Sequence, residues 1–133
     1  MRYLLDTNIV IAWRVRGNPQ VVQRLGVHRA DIALPVVVMH ELIFGAYNSS
    51  RVAENLLEID KIQLPVLSFS EADARAAAEI RAVLRRAGTP IGPYDLLIAG
   101  QALARNMVLV THNTGEFGRV DGLQFEDWTS DDG

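Results

Sequence analysis

Tyr3-Leu4-Leu5-Asp6-Thr7-Asn8 opens the chain with an apolar run that ends on a carboxylate, and Met107-Val108-Leu109-Val110-Thr111-His112-Asn113 repeats the pattern near the other end. Each run is short, continuously apolar and bounded by polar residues, as in a strand buried on both faces. Ile32-Ala33-Leu34 and Leu64 to Phe69 are further strand candidates, and Leu123 to Glu126 is a short final one. Helical stretches separate them. Short apolar strands alternating with helices argue for an α/β fold, a parallel sheet with helices on both faces. In such sheets ligands bind beyond the carboxyl ends of the strands, where the strand order reverses. Asp6 and Asn113 both fall just past a strand's carboxyl end, so position alone marks them as site candidates.

The helices follow from punctuation and period. Asn8 to about Arg16 is a short one, stopped by Gly17-Asn18-Pro19, and Pro19 to about Val27 is another. Pro35 suits a first helical position and opens a helix to about Tyr47. Ser50 is placed to cap the next, which runs to about Ile62 with Val52, Leu56 and Ile59 on one face. Ser70 and Asp73 have capping-box spacing at the head of a helix whose inner side is expected to be Ala72, Ala76, Ile80, Val83 and Ala87. Gly88 and Pro90 stop it. Pro93 starts a last long helix to about Asn106, with Leu96, Gly100, Leu103 and Met107 inward. The tail from Ser130 to Gly133 is expected to be mobile.

The chain has 133 residues, enough for a single domain spanning 1–133 that buries about two thirds of its unfolded surface. The longest apolar run, Ile32 to Met39, contains Pro35 and is far short of the roughly 20 residues a bilayer span needs. Asp6 arrives before any signal-peptide core can form, so no targeting or membrane segment is expected. The absence of cysteine excludes disulfides and cysteine-ligated zinc and is compatible with the cytoplasm. A net charge of −3 argues against a generic basic coat for nucleic acid. Lys61 is the only lysine beside twelve arginines, a bias that a GC-rich genome explains as well as phosphate binding does.

Acidic side chains carry the chemistry. Asp6, Glu41 and Asp95 each sit in an otherwise apolar local setting, where an ionised carboxylate costs several kcal/mol unless paired or bound to a cation. Each has a plainer reading: Asp6 as a helix cap, Glu41 as an exposed helix residue, Asp95 as a first-turn acid favoured by the helix dipole, Asn113 as a turn residue. Together they describe one site. Three carboxylates repel by roughly 4 kcal/mol per pair at 4 Å with an effective dielectric near 20, and a divalent cation reverses that sign. Oxygen-only ligands favour Mg²⁺ or Mn²⁺ over zinc, which points to metal-assisted hydrolysis of a phosphodiester. Glu116, three residues beyond Asn113, is within reach of the same cleft. His28, His40 and His112 are scattered, with only His112 placed to touch a substrate. Arg14, Arg16, Arg85 and Arg86 are candidate phosphate contacts.

With these residues in hand, the chain resembles a PIN-domain protein, specifically a VapC-type toxin ribonuclease. The resemblance rests on Tyr3 to Asn8, on Glu41-Leu42-Ile43-Phe44-Gly45, on Gly92-Pro93-Tyr94-Asp95-Leu96-Leu97-Ile98-Ala99, on Val110 to Phe117 and on Glu126-Asp127-Trp128, in that order. It implies a PIN fold with a parallel sheet of four to five strands sandwiched between helices. It also implies a Mg²⁺- or Mn²⁺-dependent endoribonuclease with Asp6, Glu41 and Asp95 as metal ligands. The fourth catalytic position, often Asp in the family, is Asn113 here. Thr7, Asn8 and Thr111 match positions that orient carboxylates and waters. A VapB-type antitoxin is the implied partner, together with operator DNA reached only through that antitoxin, an RNA substrate such as tRNA, and a homodimer within the larger complex. The same motifs would serve a housekeeping PIN nuclease, and Asn113 keeps a catalytically weak PIN interaction module in view. A haloacid-dehalogenase-type phosphatase needs a second Asp two residues after Asp6, where this chain has Asn8.

Overall fold

The computed structural model describes residues 1–130; of the tail from Ser130 to Gly133, expected to be mobile, residues 131–133 lie outside them. Five strands form one sheet: β1 (Tyr3–Leu5), β2 (Ile32–Pro35), β3 (Val66–Leu67), β4 (Val108–Val110) and β5 (Phe125–Glu126). Seven helices flank it: α1 (Thr7–Arg14), α2 (Pro19–His28), α3 (Val36–Tyr47), α4 (Val52–Asp60), α5 (Glu71–Arg86), α6 (Pro93–Ala104) and α7 (Thr114–Phe117). A single 3-10 turn, Arg29–Asp31, precedes β2.

The strand order is β3-β2-β1-β4-β5 and every pairing is parallel. β1 is therefore central. The chain winds outward to β3, then returns to start again at β4, so the order reverses between β1 and β4. Leu5 pairs with Val110 at that junction, and Leu4, Leu5, Leu109 and Val110 are fully buried. The right-handed rule for parallel crossovers puts α1 to α4 on one face and α5 to α7 on the other. No helix among the described residues is long and apolar enough to cross a membrane.

Most helix starts follow the sequence. Asn18 caps α2 through Gln20 and Val21. Ser70 and Asp73 form the reciprocal capping box of α5, with Ser70 N donating to Asp73 Oδ2 at 2.8 Å. Other details differ. Pro35 is the last residue of β2 and the cap position of α3, not its first turn. α4 starts after Arg51 without a side-chain cap, because Ser49, not Ser50, accepts from the Arg51 amide. The strand expected from Leu64 to Phe69 shrinks to Val66–Leu67 at the sheet's edge, where only β2 pairs with it.

α5 and α6 form the most extensive helix contact. A Cβ at Gly100 would stand 2.6 Å from the Ala77 backbone nitrogen, so only glycine permits this approach. α5 is rotated from the expected face: Asp73, Ala77, Ile80 and Leu84 are buried, and Val83 is exposed. α6 is buried on nearly all sides over Ile98 to Ala102. Gln101 and Arg105 of this segment reach back to Asp73 and to the Ser68 carbonyl. Tyr3, His28 and Trp128 form an aromatic cluster, with His28 stacked on Trp128 at 5.4 Å.

Candidate active site

The expected residues converge at the reversal point between β1 and β4. Asp6 follows β1 directly and is 4% exposed. It does cap α1, accepting from the Thr7 amide at 2.8 Å, and its other oxygen accepts from the Thr111 hydroxyl at 2.8 Å and from Asn8 Nδ2 at 3.2 Å. The cap and the site are thus one residue. Thr111 follows β4 and also receives the Asn113 amide at 2.9 Å, while the Asn8 oxygen accepts from the His112 amide at 3.0 Å. This knot ties the two strand ends together. Burial raises the Asp6 pKa; the hydrogen bonds oppose that shift, and the Glu116 charge adds to it.

Glu41 enters from α3. Its pKa is raised, first by burial and then by the Asp6 charge, with His40 pulling the other way. The Thr7 hydroxyl lies close enough to favour the ionised Glu41, yet it falls short of hydrogen-bond geometry and remains a buried oxygen without a partner.

Asp95 sits in the first turn of α6, behind Gly92, where a Cβ would lie 3.5 Å from its Oδ2. Its pKa is pushed up to about 7. Burial is the largest cause, followed by a hydrogen bond to Glu116 and the charges of Asp6, Glu116 and Glu41. Glu116, in α7, moves down because Asp95 and Asn113 donate to it and Arg119 lies nearby. Asn113 Nδ2 is 2.8 Å from Glu116 and 3.5 Å from Asp95, so its amide holds the two acids together. Glu116 therefore belongs to the site as fully as Asn113 does. Its signal in the sequence was spacing alone.

The protein leaves these acids without strong cationic partners. Ion pairs among the described residues take up Glu54, Glu58, Glu71, Asp73 and Asp127, but none of the site carboxylates. Arg14, one of the candidate phosphate contacts, is held by Glu58 at 3.3 Å. Among the described residues no three Asp, Glu or His side chains form a preformed cation cage. The acids are nevertheless near enough for each to raise another's proton affinity. With all-oxygen donors and the unsatisfied Thr7 hydroxyl, the set fits a hard divalent cation better than a soft one.

The histidines do not converge. His28 is in the aromatic cluster. His40 lies 5.6 Å from the Tyr94 ring. His112 is at the rim, with Nδ1 3.0 Å from Asp127 Oδ2. A concavity of about 880 Å³ between α5 and the start of α6 contains none of the site carboxylates. A smaller groove of about 350 Å³ begins at Thr7 and Glu41 and runs along Val10, Leu42 and Ile59.

Residues 3–123 match the family model of the PIN domain. The chain is 39% identical to the tRNA(fMet)-specific endonuclease VapC of Shigella flexneri, over 97% of this chain and 99% of that protein. It is 34% identical to Ribonuclease VapC1 of Haemophilus influenzae strain R2866, over 97% and 99%. The crystal structure of DNA-bound VapBC from Salmonella typhimurium superposes with a TM-score of 0.93 at 35% identity, covering 96% of this chain and 98% of that one.

Proposed function

The chain belongs to the PIN-domain family, among proteins of the VapC type, and from that premise we propose that it is a metal-dependent endoribonuclease, the toxin of a toxin–antitoxin pair. The observation that carries this is the cluster of Asp6, Glu41, Asp95 and Glu116 at the sheet's reversal point, with no ion-pair partner among the described residues. Asp6, Glu41 and Asp95 would hold Mg²⁺ or Mn²⁺, with Asn113 and Glu116 bracing Asp95. Such a cation, when bound, lowers the pKa of a water and neutralises charge on the phosphodiester.

The chain's own residues do the remaining work. Thr7, Asn8 and Thr111 fix both oxygens of Asp6, so its geometry is set before any substrate arrives. Asn113 keeps Asp95 and Glu116 close by donating to both. No histidine pair is placed for acid–base attack through the ribose 2′-hydroxyl. The products should therefore carry 5′-phosphate and 3′-hydroxyl ends.

The substrate proposed is tRNA, the class named for the Shigella flexneri relative. The partner proposed is a VapB-type antitoxin, as in the VapBC complexes of similar fold, with operator DNA bound through it and a toxin homodimer inside the assembly. The groove beside Glu41 suits this: apolar walls for a peptide, and an acidic end for an inserted Arg or Lys. The setting proposed is the cytoplasm.

Metal-supplemented protein is incubated with total RNA, and new 5′ ends are mapped with and without EDTA and with Asp6→Asn. Cleavage that survives EDTA, or 2′,3′-cyclic ends, would overturn the mechanism. An interaction module without catalysis is the second reading, because the Asn113 amide is spent on Asp95 and Glu116 instead of adding a carboxylate. Inert, folded protein with bound Mn²⁺ would favour it.

A further inference from the structure

α3 is not divided into an apolar inner side and a charged outer side. Val38 and Ala46 face the core, and the opposite side presents rings: His40, Phe44 and Tyr47, at spacings that stack them along one stripe. Phe44 is 61% exposed and Tyr47 is 64% exposed. From α6, Tyr94, 47% exposed, brings its ring to 5.6 Å from His40 with the planes inclined by 50°. Each element also delivers a site acid, since His40 precedes Glu41 and Tyr94 precedes Asp95. Phe44 follows Glu41 at i, i+3 spacing, so the two share a side of α3 and the stripe adjoins the acid there.

An RNA-cutting site of this charge has a binding problem. The net charge is −3, and the acids nearest the scissile phosphate repel it. Away from the proposed cation, a source of grip indifferent to charge avoids that repulsion. Stacking of a base on an aromatic ring is such a source, and every base has a face to offer. Only an unpaired base has that face free, so such a surface selects loops and single strands over duplex.

We propose that His40, Phe44 and Tyr94 form a nucleobase-binding subsite, on which an unpaired base flanking the cut phosphate stacks. This rests on the nuclease reading and extends it to how the substrate is held.

The test uses a hairpin RNA carrying 2-aminopurine at successive loop positions. It is titrated in EDTA with the wild-type protein, Phe44→Ala and Tyr94→Ala. The same hairpin, intact or abasic at the quenched position, is then cut with Mn²⁺ present. Fluorescence should be quenched by the wild type and not by either alanine variant. KM should rise by about tenfold in each variant with kcat little changed. Removing the base should cost the wild type about as much and the variants nothing, and Phe44→Tyr and Tyr94→Phe should restore the grip. Equal sensitivity of wild type and variants to the abasic change would overturn the subsite. So would an unchanged KM in variants that have lost a dimer, which would give this face to a second copy of the chain. Quenching without any wild-type cleavage would support the subsite and remove the nuclease reading; cleavage without quenching would do the reverse.

Discussion

Asp6 and Asp73 are the two buried aspartates among the described residues, and the chain treats them in opposite ways. Asp73 is 1% exposed and lies against Arg105, whose Nε and Nη2 reach its two oxygens at 3.3 and 3.0 Å. Burial works to raise its pKa, but the hydrogen bonds from Arg105 and Ser70 and the charge of Arg105 outweigh that and leave it lowered. Asp6 accepts three hydrogen bonds and still has a raised pKa. Neutral donors position a buried carboxylate without fully repaying its lost hydration; a cation does both. The α5–α6 interface contains its cation. Among the described residues no ion pair reaches the site's acids, and under the proposed function a cation from outside would take that place.

The largest expected effect separates the two regions by readout. Asp6→Asn, Glu41→Gln and Asp95→Asn should each abolish RNA cleavage, with a metal-free urea midpoint equal to or above that of the wild type because repulsion is relieved. Asp73→Asn should destabilise the fold and leave cleavage per folded molecule intact. Loss of cleavage in folded Asp73→Asn would break the contrast.

Next in size is Arg105→Ala. It leaves Asp73 buried without its cation and should cost about 3 kcal/mol, the lower end for a broken buried pair because Ser70 and Gln101 still donate to the acid. Urea unfolding measures it; an unshifted midpoint would mean that the ion pair contributes nothing.

A third measurement, metal-free stability against pH, should show opposite slopes. Asp95 has a raised folded pKa, so its proton stabilises the fold fully below the unfolded value, and that contribution is lost as pH rises through about 7. Asp73 is depressed, so its contribution is present above the unfolded value and disappears as pH falls through the folded one. Asp95→Asn should flatten the neutral limb alone. Cation binding, which competes with the same proton, should strengthen through the same range near pH 7. A neutral limb unaffected by Asp95→Asn would assign the titration elsewhere.

The smallest effect is that of Asn113→Asp. It removes the donor that joins Asp95 to Glu116 and adds a charge, so Mn²⁺ should bind a few-fold tighter while the metal-free protein becomes slightly less stable. Calorimetric titration reads the first change. Unchanged affinity would leave Asn113 as a brace for the acids and nothing more.

The contrast also separates what the sequence discloses from what it hides. Asp6 and Asn113 were legible because strand ends are marked by a change from apolar to polar residues, and parallel sheets place ligands there. Glu41 and Asp95 were legible as acids in apolar or helix-start contexts. The α5 face was not. Alanine fills positions 72, 74, 76, 77 and 78, so the apolar period is ambiguous, and the inward Asp73 meets Gln101 and Arg105, 28 and 32 residues away. Glu116 was legible as near the cleft but not as part of a proton-sharing pair, since the pair forms through a helix of one turn whose existence depends on the fold. The short β3 falls in the same class: Leu64 to Phe69 has strand composition, but only Val66 and Leu67 find a partner.

Gly100, where α6 presses on the backbone of α5, gives that helix a fulcrum. It lies midway between Asp95 on one arm and Arg105 on the other. The two backbones meet there with no room for a Cβ. A tilt of α6 about that point moves Arg105 and Asp95 in opposite senses. The one residue without a side chain makes a lever of the helix, and its two loads are the acid that the fold has paired with an arginine and one whose proton it holds to near neutral pH.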